Sequence, residues 1–188
     1  LFRSTRAYID RARVSVRDAD VKGITLQIRK GTEIKGKVIT EGTPAVPLDK
    51  FKITLRSQDT MPDSFATIIG AIPVDDAGDF SAPDIPSARY SMQWMGLPET
   101  AYVADIRQGG SSVFDTGFTV GSSSTTPIEI VVNANGGTLE GNIKTSDRKP
   151  ATGATVVLVP PASQRPNAMR FKSVQTDAKR SEEHTSEL

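Results

Sequence analysis

Apolar and polar residues alternate with a period of two along most of this chain. The alternation is clearest in four short runs, residues 24–29, 51–56, 89–94 and 127–133, each with three apolar residues on one side. Successive side chains of a β-strand point to opposite faces, so each run predicts a strand with one buried and one wet face. Only residues 3–12 have a pattern that allows a short helix. An all-β fold with antiparallel sheets is therefore predicted.

Turn residues separate these runs. The segment Asp75-Asp76-Ala77-Gly78-Asp79 follows Val74 and precedes Phe80, each of which belongs to an apolar run. Aspartate favours the start of a turn and glycine accepts a positive φ, so a hairpin is predicted here. The three carboxylates of this segment are interpreted as solvated, because they lack the alternating acidic ligands and final bidentate glutamate of a typical calcium loop.

An internal repeat is the main sign of domain organisation. Residues 31–38, GTEIKGKV, are echoed by residues 136–143, GGTLEGNI, at an offset of 105 residues (136 minus 31). Downstream, Ile53-Thr54-Leu55 finds a counterpart in Val156-Val157-Leu158. Repetition at a fixed period is typical of chains built from similar structural units.

The repeat predicts the domain boundaries. The predicted segments are the terminal strands of a preceding unit at 1–30, one complete unit at 31–134, an incomplete second unit at 135–179, and a non-native tail at 180–188. The tail, RSEEHTSEL, matches the translation of a common sequencing adapter and is predicted to be an assembly artefact. The chain is therefore interpreted as a fragment of a longer protein.

Three motifs in order resemble the bacterial carboxypeptidase regulatory-like repeats. They are GTEIKGKV at 31–38, DDAGDF at 75–80 and IPSARY at 85–90, and GATVVLVP at 153–160 is similar to the second strand of that family. The resemblance implies tandem immunoglobulin-like or transthyretin-like antiparallel β-sandwich domains, the last one truncated. It also implies a non-catalytic role, since peptidase activity belongs to a separate domain. Such repeats recur in bacterial surface proteins, so the resemblance implies export to the cell envelope.

Composition excludes several classes of partner. The chain has 23 Lys and Arg residues against 22 Asp and Glu residues, a net charge of +1, and no basic patch for nucleic acid. It has no cysteine, so disulfides and thiolate metal sites are absent. No apolar run approaches the roughly 20 residues of a transmembrane helix. The expected partners are neighbouring repeats of the same chain and an unidentified protein or glycan.

The residue types needed for most enzyme mechanisms are missing. The one histidine, His184, lies in the predicted artefactual tail, so neither a histidine base nor a zinc site is expected. Gly109-Gly110 lies outside any phosphate-binding motif and is interpreted as a plain loop. No catalytic, cofactor-binding or metal-binding residue is predicted, and the chain is expected not to be an enzyme.

A carbohydrate-binding surface is the alternative function. Related sandwich folds include starch-binding modules, which present rows of exposed aromatic rings. Tyr102, Phe114 and Phe118 are the candidate platform residues, because the alternation does not assign them to the core. Trp94 shares its face with the apolar residues of the run 89–94, so it is predicted to be a core residue.

The fold resemblance also raises a Lys–Asn isopeptide bond of the kind found in collagen-adhesin B-type domains. Lys35 or Lys37 on the first strand and Asn133 on the last are plausibly placed for it. In that family an acid four residues after a strand tyrosine shuttles the proton, and Trp94 stands at that position here. The bond is therefore not expected. The sequence leaves two functions open: a spacer and interaction module of an exported bacterial protein, or a carbohydrate-binding module attached to an envelope enzyme or receptor.

Overall fold

A computed structural model describes residues 14–18, 20–26, 30–58, 68–122 and 125–176, and the backbone of 186–187. This part of the chain is all-β, as predicted. Two short 3-10 helices, Ala162–Gln164 and Ala168–Arg170, lie near its end. The strands are β1 (Thr32–Glu41), β2 (Lys52–Ser57), β3 (Ile68–Pro73), β4 (Asp79–Ile85), β5 (Ala88–Met95), β6 (Tyr102–Gln108), β7 (Ser111–Ser112), β8 (Phe118–Val120), β9 (Ile128–Asn133), β10 (Thr138–Leu139), β11 (Thr155–Leu158), β12 (Lys172–Gln175) and β13 (Ser186–Glu187).

Two sheets between residues 32 and 133 face each other across one core. One has the strand order β4-β1-β9-β6-β7 and the other the order β3-β2-β5-β8. Adjacent strands are antiparallel except β1 and β9, which run parallel from Gly36 beside Ile128 to Glu41 beside Asn133. A parallel pair needs a long connection between its strands, and the strands from β2 to β8 supply it. The antiparallel β-sandwich predicted from the sequence therefore includes one parallel pair.

The predicted alternation decides which side chains fill the core. On β2, Ile53 and Leu55 are buried, and on β5 Tyr90 and Met92 are buried. Ile128, Ile130 and Val132 of β9 complete the same cluster. Strands were predicted at each of these places, and the structure confirms them. Because one face of each strand points inward, the apolar side chains on that face are removed from water, which stabilises the fold.

Val131 departs from the alternation. It lies on the face of β9 predicted to be wet, yet its side chain is only 3% exposed. Its neighbours across the sheet are Ile39 of β1 and Asp105 of β6. Because β9 lies between β1 and β6, side chains of both neighbouring strands flank Val131 on the outer face of the sheet. They cover it although it does not point into the main core.

The segment 75–79 links the two sheets instead of closing a hairpin. It leaves β3 of the four-stranded sheet and enters β4, which pairs with β1. The Asp75 carboxylate accepts hydrogen bonds from the N–H groups of Ala77 (3.0 Å) and Asp79 (2.8 Å). Gly78 has a φ of +83°, and its carbonyl accepts a 2.7 Å bond from the Val38 N–H. The turn chemistry was predicted correctly, but the hairpin was wrong because β1 takes the place of β3 beside β4.

The run 24–29 differs from its prediction where it is described. Residues 20–26 form no strand, and Ile24 and Leu26 are about half exposed. A strand needs hydrogen-bonding partners on a neighbouring strand, and none of the described residues supplies them to this segment. Residues 27–29 and the possible helix at 3–12 lie outside the described residues, as does His184.

A separate hairpin follows the sandwich. β11 pairs with β12, and Val156 lies opposite Val174. In the sandwich, β2 pairs with β3, and Ile53 lies opposite Ile72. Ile53 and Val156, which correspond in the predicted repeat, thus each lie opposite an apolar residue of an antiparallel partner. Val156 is half-buried whereas Ile53 is fully buried, because β2 has β5 on its other side. The repeat and the domain boundaries remain predictions.

Candidate functional site

A groove separates one end of the sandwich from the segment that follows it. Its volume is about 630 Å³, within the range of roughly 300–1,000 Å³ typical of ligand sites. Trp94 and Tyr102 line the sandwich side, at the end of β5 and the start of β6. Leu158, Pro160 and Arg170 line the opposite side. The lining is mainly apolar, with a few polar groups at its margins.

Trp94 belongs partly to the core and partly to the groove. It continues the inward face of β5 after Tyr90 and Met92, and it packs against the core cluster. Because β5 ends one residue later, the indole is only half-buried and its outer face lines the groove. Its ring centroid lies 5.6 Å from that of Phe114, with the planes tilted by 56°. This is a favourable geometry for an aromatic pair.

The loop at 113–117 holds the following segment through an ion pair. The Arg170 guanidinium donates from Nε to Asp115 Oδ1 (2.9 Å) and from a terminal nitrogen to Oδ2 (3.1 Å). Its carbon also lies 4.0 Å from the centroid of the Phe114 ring. This bidentate geometry and the stacking on an aromatic face are properties of arginine that lysine lacks. The arginine thus joins residues 55 positions apart.

Asn167 adds a second link at the same place. Its Nδ2 donates to the Phe114 carbonyl (3.0 Å) and to Asp115 Oδ1 (3.1 Å). Its Oδ1 accepts from the Met169 N–H (3.0 Å), which caps the short 3-10 helix that ends at Arg170. One side chain therefore orients the arginine and binds the loop. We refer to Asp115, Asn167 and Arg170 together as the clamp.

Electrostatics favour the ionised form of the clamp carboxylate. Hydrogen bonding from the Arg170 guanidinium lowers the pKa of Asp115 below its ordinary value, and Asn167 adds to this effect. Partial burial and the negative charge of Asp105 act in the opposite direction and are outweighed. Asp115 is therefore charged at neutral pH, as its bond to arginine requires.

Asp105 stabilises the neighbouring turn. Its Oδ1 accepts from the Ser112 hydroxyl (2.6 Å) and its Oδ2 from Arg107 Nε (2.7 Å). Burial raises the pKa of Asp105, but these hydrogen bonds and one from the Ile106 N–H outweigh it, so the pKa lies below its ordinary value. This network links β6 to β7 and precedes the loop that carries Asp115.

The structure separates the three predicted platform residues. Tyr102 is half-buried and lines the groove. Phe114 also lines it, but its side chain is 8% exposed and lies beneath Arg170. Phe118 is 3% exposed, with its ring centroid 6.3 Å from that of Tyr90 in the core. The expected exposure is wrong for both phenylalanines: Arg170 covers the Phe114 ring, and the pairing of β8 with β5 turns Phe118 inward. The half-exposed ring beside Tyr102 is Trp94, which the alternation had assigned to the core.

Sequence patterns did not indicate the clamp. Asp115 and Arg170 are single charged residues in loops, and no local motif connects them. The sequence indicated only that Phe114 is an aromatic residue outside the alternating pattern, so the groups that cover its ring could not be predicted. The tertiary structure shows that the Arg170 guanidinium, from the following segment, covers this ring.

The candidate residues for an isopeptide bond lie apart on neighbouring strands, with Lys37 beside Glu129 and Asn133 beside Glu41. Lys35 and Lys37 have exposed side chains, which pair with Glu33 (3.2 Å) and Asp79 (3.6 Å). Asn133 Oδ1 accepts the Asn135 N–H (2.8 Å). The lysine nitrogens therefore face solvent and acidic side chains and do not approach the asparagine.

Neither a metal cluster nor a membrane span occurs among the described residues. No three His, Cys, Asp or Glu side chains there are grouped to hold a metal ion. None of the helices in that part of the chain is both long and apolar enough to cross a bilayer. Comparison of the chain with protein-family models, curated proteins and solved structures gives no match.

Proposed function

We propose that this chain is a non-catalytic structural and interaction module of a longer, exported bacterial envelope protein, in which successive β-sandwich units are held in a fixed orientation. The clamp is the observation that carries this proposal. A freely hinged connection would need no ion pair between the sandwich and the following segment. Here a bidentate Arg170–Asp115 pair joins them, supported by Asn167.

The connecting residues support the same function. The Ala134 N–H donates to the Glu41 carbonyl (2.9 Å), and the Gly136 N–H donates to the Thr100 carbonyl (2.8 Å). A side chain at Gly136 would come within 2.9 Å of that Thr100 oxygen. The connection is thus hydrogen-bonded to both β1 and the loop before β6. Such a connection limits hinge motion, in contrast to a flexible Gly/Ser linker.

A distance measurement tests the fixed orientation. The chain has no cysteine, so spin labels attach only where cysteines are introduced. We expect labels at Thr119→Cys and Ser173→Cys, both exposed, to give one narrow distance distribution by pulsed electron resonance. Labels at Thr119→Cys and Glu129→Cys, within the sandwich, provide the reference width. A distribution several times broader than this reference would contradict the spacer function.

Export rests on the resemblance to repeats of bacterial surface proteins. The absence of cysteine is compatible with this location but does not require it. The proposal predicts that cells producing the full protein contain it in their envelope or medium fraction. Recovery in the cytosolic fraction alone would contradict the proposed location without affecting the clamp.

Carbohydrate binding is the second candidate, and the groove favours it. Trp94 and Tyr102 offer ring surface, and sugars stack on such rings. Among the described residues, none forms a hydrogen bond or ion pair with the Trp94 indole N–H, the Tyr102 hydroxyl or the side chains of Gln164 and Lys172. Aromatic surface beside uncommitted donors and acceptors is what a glycan needs.

A glycan array followed by calorimetry tests this candidate. We expect binding, if it occurs at the groove, to fall at least tenfold on Trp94→Ala and less on Tyr102→Phe, which removes only a hydroxyl group. Phe171→Ala is the matched control, because Phe171 is half-buried but does not line the groove. If the unaltered chain binds no glycan, or if Phe171→Ala loses as much glycan affinity as Trp94→Ala, carbohydrate binding at the groove is contradicted. The spacer function would then be the one proposal that stands.

A further inference from the structure

Asn135 precedes Gly136 in the connection between the sandwich and the following segment. In an asparagine–glycine pair the glycine nitrogen attacks the asparagine amide with little hindrance, because glycine has no side chain to block the approach. The other asparagines of the chain, Asn133, Asn142 and Asn167, precede alanine or isoleucine. Asn135 is therefore the asparagine whose sequence context most favours this reaction.

The amide of Asn135 is accessible and uncommitted. The residue is exposed, and its side chain lies beside Gly42, which has no side chain to cover it. Among the residues that the structure describes, none hydrogen-bonds to this side-chain amide. The hydrogen bond that Asn135 makes here comes from its main-chain N–H, which donates to Asn133 Oδ1 (2.8 Å). Nothing in the described structure therefore holds the amide away from its neighbouring nitrogen.

The attacking nitrogen is held by one hydrogen bond. The Gly136 N–H donates to the Thr100 carbonyl (2.8 Å). This nitrogen has to lose its proton and turn toward the Asn135 side chain before it reacts, so its bond to Thr100 must break first. The intact connection therefore slows the reaction, and each opening of the connection permits it.

We propose that Asn135 is a deamidation site and that its reaction converts the fixed connection into a hinged one. Hydroxide removes the proton from the Gly136 nitrogen, which then bonds to Cγ of Asn135. The bond from Cγ to Nδ2 breaks, and Nδ2 takes a proton from water and leaves as ammonia, which regenerates hydroxide. Water next opens the resulting succinimide ring at either of its carbonyl carbons. The product is aspartate or, when water attacks the main-chain carbonyl carbon, isoaspartate.

Isoaspartate lengthens the main chain between two fixed points. The Ala134 N–H is bonded to the Glu41 carbonyl (2.9 Å), and the Gly136 N–H is bonded to the Thr100 carbonyl. The main chain of isoaspartate passes through the side-chain carbon, which adds one carbon–carbon bond of about 1.5 Å. Both hydrogen bonds then no longer fit the same path, so the connection loses one of them. The inference rests on the proposed spacer function, because this connection helps to fix the orientation.

Peptide mapping by mass spectrometry tests the site in the full chain. After incubation in mildly alkaline buffer, we expect Asn135 to lose its amide at least tenfold faster than Asn142, which is also exposed but precedes isoleucine. A synthetic peptide of residues 130–141 lacks the bond to Thr100 and should react several times faster than the folded chain. Equal loss at Asn135 and Asn142, or equal rates in the peptide and the folded chain, would overturn the inference.

The spin labels at positions 119 and 173 test the consequence. We expect a chain with isoaspartate at position 135 to give a broader distance distribution than the fresh chain. Asn135→Asp, which adds the charge without lengthening the main chain, should stay narrow. Asn135→Gln should stay narrow on ageing, because its longer side chain forms the cyclic intermediate far more slowly.

The same measurement separates this inference from the proposed function. If the fresh chain is narrow and the chain with isoaspartate is equally narrow, the inference is overturned and the spacer function stands. A broad distribution in the fresh chain would contradict the spacer function, and the inference with it.

Discussion

Replacing Gly36 by alanine is expected to destabilise the sandwich by about 1–3 kcal/mol, the usual cost of forcing extra volume into a packed site. Gly36 lies on β1 between Phe80 of β4 and Ile128 of β9. A methyl group at this position would overlap the Ile128 carbonyl oxygen and the Phe80 ring. Since both neighbours belong to strands of the same sheet, neither can move without disturbing the ladder.

Thermal unfolding measures this effect. For a domain of roughly 100 residues, 1 kcal/mol shifts the melting temperature by about 4–8 °C. Gly141→Ala is the control, since Gly141 corresponds to Gly36 in the predicted repeat and has no atom within 4 Å of an added methyl group. We expect the control to leave the melting temperature of the sandwich within about 2 °C. Equal shifts in both variants would show that the close contacts around Gly36 do not limit stability.

Replacing Asp115 by asparagine is expected to release the segment after residue 134 from the sandwich. The substitution keeps the size of the side chain but removes the charge that Arg170 binds through two hydrogen bonds. Hydrogen bonds to charged groups contribute about 1.5–3 kcal/mol, and the partial exposure of this pair favours the lower end. Hydrogen exchange should then accelerate roughly tenfold at Asn167 and its neighbours, but not in β9.

Two controls distinguish the clamp from a general loss of charge. Asp76→Asn removes an exposed carboxylate from the turn between the sheets and should leave exchange near Asn167 unchanged. In a double-mutant cycle, the free energy that holds the segment against the sandwich should fall less in the double variant Asp115→Asn with Arg170→Gln than the sum of the losses in the two single variants. Additive effects would mean that the ion pair contributes nothing to the contact between the sandwich and the segment after residue 134, which we call docking. The labels at positions 119 and 173 should report a broadened distance in Asp115→Asn.

The pH dependence of docking follows from the lowered pKa of Asp115. When the clamp holds the segment after residue 134 against the sandwich, the pKa of Asp115 is lowered, so its stabilising effect is complete above the ordinary pKa of 3.8. The contribution declines as pH falls below that value and disappears once pH passes the lowered pKa. Docking should therefore be constant from neutral pH to about pH 5. It should weaken in stronger acid, whereas Asp115→Asn should show little of this change.

Much of the sandwich could be predicted from local patterns. Alternation on β2, β5 and β9 correctly identified the strands and their buried faces, because a two-residue period determines which side of a strand meets the core. The glycine and aspartate residues of the turn at 75–79 likewise indicated a chain reversal. Each of these features depends on residues within one short segment, so the sequence is sufficient to predict it.

Pairing partners were harder to predict because they depend on distant residues. The segment 24–26 has the same alternation as β9, yet it forms no strand, since no partner strand adjoins it in the described structure. The turn at 75–79 was assigned to a hairpin although β4 pairs with β1. Alternation reports which face of a strand is apolar and contains no information about its neighbour.

The candidate site was predictable only in part. Tyr102 and Phe114 were identified as aromatic residues outside the alternation, and both line the groove. Phe118, chosen by the same reasoning, is buried by the pairing of β8 with β5. Arg170 could not have been identified, since its function arises from a contact across 55 residues of chain.

The sequence by itself determined that the described part of the chain is all-β and which faces of its strands are apolar. The tertiary structure alone decided that β1 runs parallel to β9, that Trp94 has one face in a groove, and that Arg170 holds Asp115. The physical reason is range. Side-chain direction along a strand follows from steric rules between adjacent residues, whereas strand partners, burial at a sheet's end and ion pairs depend on how distant segments pack together.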